Sequence, residues 1–93
     1  MRNCTISLPS TLKNKISNKQ LDLTFEANTV GDALICLTQR YEEINDLIFD
    51  NNGKIQRFVN IYVGEDNIKD CDNLDTNIIN DANIIILSAV AGG

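Results

Sequence analysis

The chain has 93 residues, 43% of them hydrophobic, a formal net charge of −5 and no histidine. That length supports one small core and no second unit with its own active site, so residues 1–93 are expected to form a single domain. The eight Lys and Arg are scattered singly, which argues against nucleic-acid binding and predicts electropositive partners; without histidine, Ser-His and Cys-His catalysis are excluded, and a structural zinc site has no ligand set.

Cys4, Ile6 and Leu8 alternate with polar residues, the signature of a strand with one buried face, and Pro9 stops it. After a polar stretch, Leu21, Leu23 and Phe25 alternate in the same way, which predicts an opening hairpin or meander. Thr29 is placed to cap a helix, with Asp32 in its first turn. Val30, Ala33, Leu34, Leu37 and Tyr41 then form one apolar stripe, while Thr38, Arg40, Glu42 and Glu43 are expected to face water. Ile44, Leu47, Ile48 and Phe49 read as a short helical extension before the turn Asp50-Asn51-Asn52-Gly53.

Arg57 to Gly64 is a central-strand candidate, with Val59, Ile61 and Val63 on one parity and Phe58, Asn60 and Tyr62 on the other. A short strand is expected around Ile68, then a polar crossing through Leu74 and Ile78, a turn at Asn80 to Asn83, and a last strand, Ile84-Ile85-Ile86-Leu87. Continuous apolar character normally marks a strand covered on both faces, yet one substantial helix covers only one. If Ile84 and Ile86 face the helix, Ile85 and Leu87 face away, joined by Phe58 and Tyr62. With Val90 these residues form an expected partner-docking patch.

Little else in the chain is chemically equipped. Cys4 and Cys36 fall in strand and helix patterns as small apolar residues, and Cys71 sits in a polar run as a weak nucleophile candidate. Three widely spaced cysteines fit a reducing compartment. No run approaches the roughly 18 apolar residues of a membrane span, and the N-terminal residues lack a signal-peptide core, so a cytoplasmic protein is expected, with no membrane partner. The acidic run Asp70 to Asp75 lacks the glycine and terminal Glu of a calcium loop, and Gly31, Gly53 and Gly64 are too isolated for a phosphate loop. What remains is the end: residues 88–93 read as an exposed tail in which Ala89, Val90 and Ala91 lead to Gly92 and Gly93. A Gly-Gly terminus is thin and conformationally soft enough to enter another enzyme's catalytic channel.

The element order, Arg57-Phe58-Val59-Asn60-Ile61-Tyr62-Val63 followed by Glu65-Asp66, Leu74-Asp75-Thr76, and Ala89-Val90-Ala91-Gly92-Gly93 together resemble the ubiquitin-like sulfur carriers of the ThiS/MoaD family, nearest its CysO-type branch. The resemblance implies an α+β β-grasp fold: a mixed sheet of about five strands on one main helix, ending in a flexible Gly-Gly tail. It implies a carrier and not an enzyme. Gly93 would be adenylated by an E1-like, ATP-using enzyme and converted by sulfide or a persulfide to a thiocarboxylate, with no cofactor bound to the carrier itself. In the CysO-type pathway a PLP-dependent cysteine synthase would accept that sulfur onto an activated serine, and a metal-dependent peptidase would release cysteine. The free carrier is expected to be a monomer.

Three positions depart from the branch pattern: Gly64 stands where Asn is usual, Ala82-Asn83 replaces Gly and an acidic or small residue, and Ser88 replaces a frequent proline. The same tail would also serve molybdopterin, thiamin, tRNA or secondary-metabolite thiolation, or join lysines as a ubiquitin-like modifier. An interaction scaffold with an idle tail is the third reading.

Overall fold

A computed structural model describes residues 2–17 and 20–88. The alternation beginning at Cys4 produces β1 (Arg2–Ser7), which pairs antiparallel with β2 (Thr24–Ala27) and parallel with β5 (Ala82–Ser88). On the other side of β5 runs β3 (Val59–Val63), antiparallel, and then the short β4 (Asp66–Asn67), giving a mixed five-stranded sheet in the order β2-β1-β5-β3-β4. The chain's two ends thus meet as parallel neighbours near the sheet centre. A parallel pair needs a long crossover, and the whole helical middle of the chain supplies it.

That middle is dominated by α2 (Val30–Arg40), preceded by a single turn, α1 (Ser10–Lys13), and followed by a 3-10 turn and α3 (Asn45–Ile48). The amide of Asp32 donates to Thr29 Oγ1 at 3.2 Å, the cap anticipated from sequence. Val30, Ala33, Leu34 and Leu37 are fully buried in one core with Ile6, Val59, Ile61, Ile84 and Ile86. Burying each of the larger side chains contributes about 1.5–3 kcal/mol, which explains how one helix suffices to hold the sheet. Ile44 and Ile48 are also fully buried, so the short extension after α2 is part of the core.

Two turns show why particular residues stand where they do. Asp50 Oδ1 accepts from the amides of Asn52 and Lys54 at 2.8 and 3.0 Å, while Gly53 takes φ +78°. Gly64 takes φ +61° at the first position of the two-residue β3–β4 hairpin, a place where a side chain would be strained. The crossing between β4 and β5 is fastened to the start of α2: Val30 donates to the Thr76 carbonyl at 3.0 Å and Ile78 to that of Asn28 at 2.9 Å.

Several expectations are corrected. The short strand is Asp66–Asn67, and Ile68 instead opens a 3-10 turn (Ile68–Asp70) that drops its side chain into the core. The last strand begins at Ala82, within the expected turn, and runs through Ser88, which pairs with Val59. Ser88, grouped with the tail on sequence, therefore belongs to the sheet. Thr38 is buried, not facing water, and its hydroxyl donates to the Ile35 carbonyl at 3.2 Å. The polar stretch after Pro9 is not structureless, because Leu12 and Ile16 turn inward.

Two measurements test this packing. A Cβ built on Gly31 would stand 3.0 Å from the Leu74 carbonyl oxygen and 3.2 Å from its Cβ, so Gly31→Val should lower stability by about 1–3 kcal/mol in urea denaturation. An unchanged midpoint would mean that Leu74 does not rest on the helix. Alternation along β5 should appear as a contrast between neighbours: Ile86→Ala should cost about 2–5 kcal/mol, and Leu87→Ala no more than about 0.5 kcal/mol.

Candidate functional site

Only the helix side of the sheet is covered, and the outer face divides into two halves. Across β2 and β1 it carries Thr24, Glu26, Asn3, Thr5 and Ser7, all exposed. Across β5 and β3 it turns apolar. Ile85 lies between Ser7 of β1 and Tyr62 of β3, and Leu87 lies opposite Asn60. Ile84 and Ile86 are buried on the helix side, whereas Ile85 and Tyr62 are half-buried and Leu87 is 48% exposed. The strand is therefore apolar on both faces although only one of them is buried.

The expected docking residues do not all share this position. Tyr62, Ile85 and Leu87 come together as one outer strip. Phe58 falls in the turn before β3, half-buried and packed against core residues, since the strand's outward parity begins only at Asn60. Asn60 itself was missed from sequence because it is polar, although the period that selects Tyr62 selects it too. Val90, also assigned to the patch, lies outside the described residues, as do Ala89, Ala91, Gly92 and the sulfur-bearing candidate Gly93. What the structure supplies is the root of that segment: Leu87 exposed on the outer face, then Ser88 held against Val59.

The body around this strip offers little chemistry of its own. Cys4 is buried in β1, and burial, reinforced by nearby Cys36, pushes its thiol up from the ordinary value, away from the reactive thiolate. Cys36 is half-buried and Cys71 exposed, and all three thiols are free. Among the described residues no group of three His, Cys, Asp or Glu could hold a metal ion, and no helix is long and apolar enough to cross a membrane. Nearly all the described carboxylates are exposed, and the ion pair given by the geometry is Asp22 with Arg40, at 3.5 Å. Arg40 also donates to the carbonyls of Asp22 and Thr24 and lies over the Phe25 ring at 4.4 Å, closing off the β2 edge.

Known proteins share this arrangement. A sequence model of the ThiS family matches residues 6–93. The sulfur carrier protein CysO of Mycobacterium tuberculosis is 33% identical over 93 residues, covering 98% of this chain and 99% of that protein. Among solved structures, the small archaeal modifier protein 1 of Methanosarcina acetivorans superposes with a TM-score of 0.82 at 24% identity, covering 100% of this chain and 98% of its own, a likeness of fold. CysO in the Amycolatopsis orientalis BexX/CysO complex gives a TM-score of 0.78 at 25% identity, covering 97% and 99%. A β-grasp body with one covered sheet face, matched along almost its whole length by sulfur carriers, leaves no other assignment: the chain belongs to the ThiS family of ubiquitin-like sulfur carriers, on the branch that contains CysO.

Proposed function

We propose that Gly93 carries the sulfur, as a thiocarboxylate, and that the acceptor it serves is a precursor of cysteine. The observation that supports this reading most is the continuity of β5: the strand that presents Ile85 and Leu87 on the uncovered face leads, through Ser88 anchored on Val59, straight into Ala89, Val90, Ala91, Gly92 and Gly93. A partner that grips Tyr62, Ile85, Leu87 and Val90 thereby fixes the origin of a five-residue leash of roughly 17 Å maximum reach. Docking and delivery are then one event.

A carboxylate is an anion at neutral pH and resists nucleophilic attack, so it must first be activated. An E1-like enzyme joins the Gly93 carboxylate to AMP from ATP, releasing pyrophosphate; sulfide attacks the acyl carbon and AMP leaves with the bonding electrons, or the terminal sulfur of a persulfide does so and a second thiol then cleaves the acyl disulfide, freeing the thiocarboxylate and forming a disulfide with the persulfide's parent thiol. ATP and the sulfur source belong to the partner enzymes, and the carrier itself binds no cofactor. The thiocarboxylate sulfur, a soft anionic nucleophile, then enters a PLP-dependent cysteine synthase, and a metal-dependent peptidase frees cysteine and regenerates Gly93. Gly92 supplies the clearance for entry into each active site. The free thiols suit a reducing cytoplasm, and the free carrier works as a monomer.

Intact mass spectrometry of the protein from its native host, grown with ample sulfur, should find a species with one C-terminal oxygen replaced by sulfur, or one bearing an added cysteine. A population consisting only of unmodified Gly93 would sink the proposal, and a ladder of lysine adducts would move the chain to the protein modifiers. At the docking strip, Leu87→Asp should slow adenylation about tenfold or more with little change in stability. The rate should also fall as salt rises, because exposed carboxylates steer a basic partner; a salt-independent rate would remove steering.

A further inference from the structure

On the helix side of the sheet, away from the outer strip, a cavity of about 370 Å³ opens beside β3. Its floor is formed by Val59, Ile61 and Ile68, all buried, and its walls by the half-buried Ile55 and Leu74. Lys54 and Lys69, contributed by separate segments, stand exposed among the lining residues. Apart from these and two asparagines the lining is aliphatic, and no carboxylate contributes to it.

That charge pattern runs against the rest of the chain. Thirteen Asp and Glu against eight Lys and Arg give an acidic surface, yet this opening carries two lysines and no acid. Neither lysine is in an ion pair among the described residues; the hydrogen bonds given for both come from backbone amides, to Asp50 and Asn67. An apolar hollow with unpaired cations is complementary to a molecule having a hydrocarbon body and an anionic head. Its volume lies near the lower end of the about 300–1,000 Å³ of small-molecule sites, enough for one short aliphatic chain.

We propose that this cavity binds a medium-chain aliphatic carboxylate, the chain lying on Val59, Ile61 and Ile68 and the head group between Lys54 and Lys69. Leu74 closes one wall, and its seat against Gly31 of α2 joins the cavity to the helix start. Tyr62, Ile85 and Leu87 are not among its lining residues, so binding there leaves them free.

Decanoate, below its micelle concentration, is the probe for an amide NMR titration of the full chain. Saturable shifts are expected at Ile55, Ile61, Ile68 and Leu74, with the Tyr62 to Leu87 strip unmoved. Decanol, of equal length but uncharged, should bind about fivefold more weakly, and so should decanoate to the Lys54→Gln, Lys69→Gln double variant, whose spectrum also reports that it is folded. The proposal is overturned if decanoate gives no saturable shifts, if they centre on the outer strip, or if decanol or the double variant binds equally well. Concentration-dependent shifts at the same amides without decanoate would give the cavity to a second copy of the chain, and would also overturn it.

Discussion

A sheet has two faces, and this chain has one helix long enough to cover one of them. The packing of α2 onto Ile6, Val59, Ile61, Ile84 and Ile86 is the constraint on which the rest depends. It sets the parity of β5, and parity decides that Ile85 and Leu87 face solvent beside Tyr62. It also places β5 in the sheet interior, between β1 and β3, so that the tail leaves from the most firmly held strand and not from a fraying edge. A one-residue slip of β5 would put Ile84 and Ile86 outside and Ile85 and Leu87 inside, destroying the core and the outer strip together.

The parts legible in sequence were those governed by a local period. β1, α2 with its Thr29 cap, β3 and the outward set on β5 follow from spacing, since strand and helix repeats of two and 3.6 residues are written in the chain. What escaped depends on contacts between distant segments. Ile68 looks like a strand residue until the Gly64 hairpin shortens β4 and the chain dives into the core. Thr38 occupies a polar position on the helix wheel, yet it is buried, with its hydroxyl turned back to the Ile35 carbonyl. Phe58 has the right parity but precedes the strand, so its ring turns to the core. The lysine-flanked cavity had no sequence signal, because Lys54 and Lys69 become neighbours of one hollow only through the fold.

Charge is distributed to match two different surfaces. Exposed carboxylates outnumber the cations and give the body a negative field that falls off over roughly 8–10 Å in ordinary salt. Arg40 is committed within the chain, to the Asp22 and Thr24 carbonyls, the Asp22 carboxylate and the Phe25 ring. Lys54 and Lys69 are not so committed, which is why the cavity between them differs in character from the acidic surround.

A carrier of an activated acyl group has a requirement that a catalyst lacks: its own body must not intercept the cargo. A reactive thiol or imidazole on the body near the end of β5 would divert such a group. The chain has no histidine, Cys4 is buried with its thiol pushed toward the protonated form, and Cys36 is half-buried against the core. Cys71, the exposed thiol, lies after β4 in the loop beyond Val63, the end of β3 opposite the Val59–Ser88 rung from which the tail departs. Over the four steps from Val59 to Val63, at about 3.3 Å per residue, that separation is about 13 Å along the strand. The three thiols are thus placed, one buried, one half-buried and one beyond the end of β3 opposite Ser88, where none adjoins the last rung of β5.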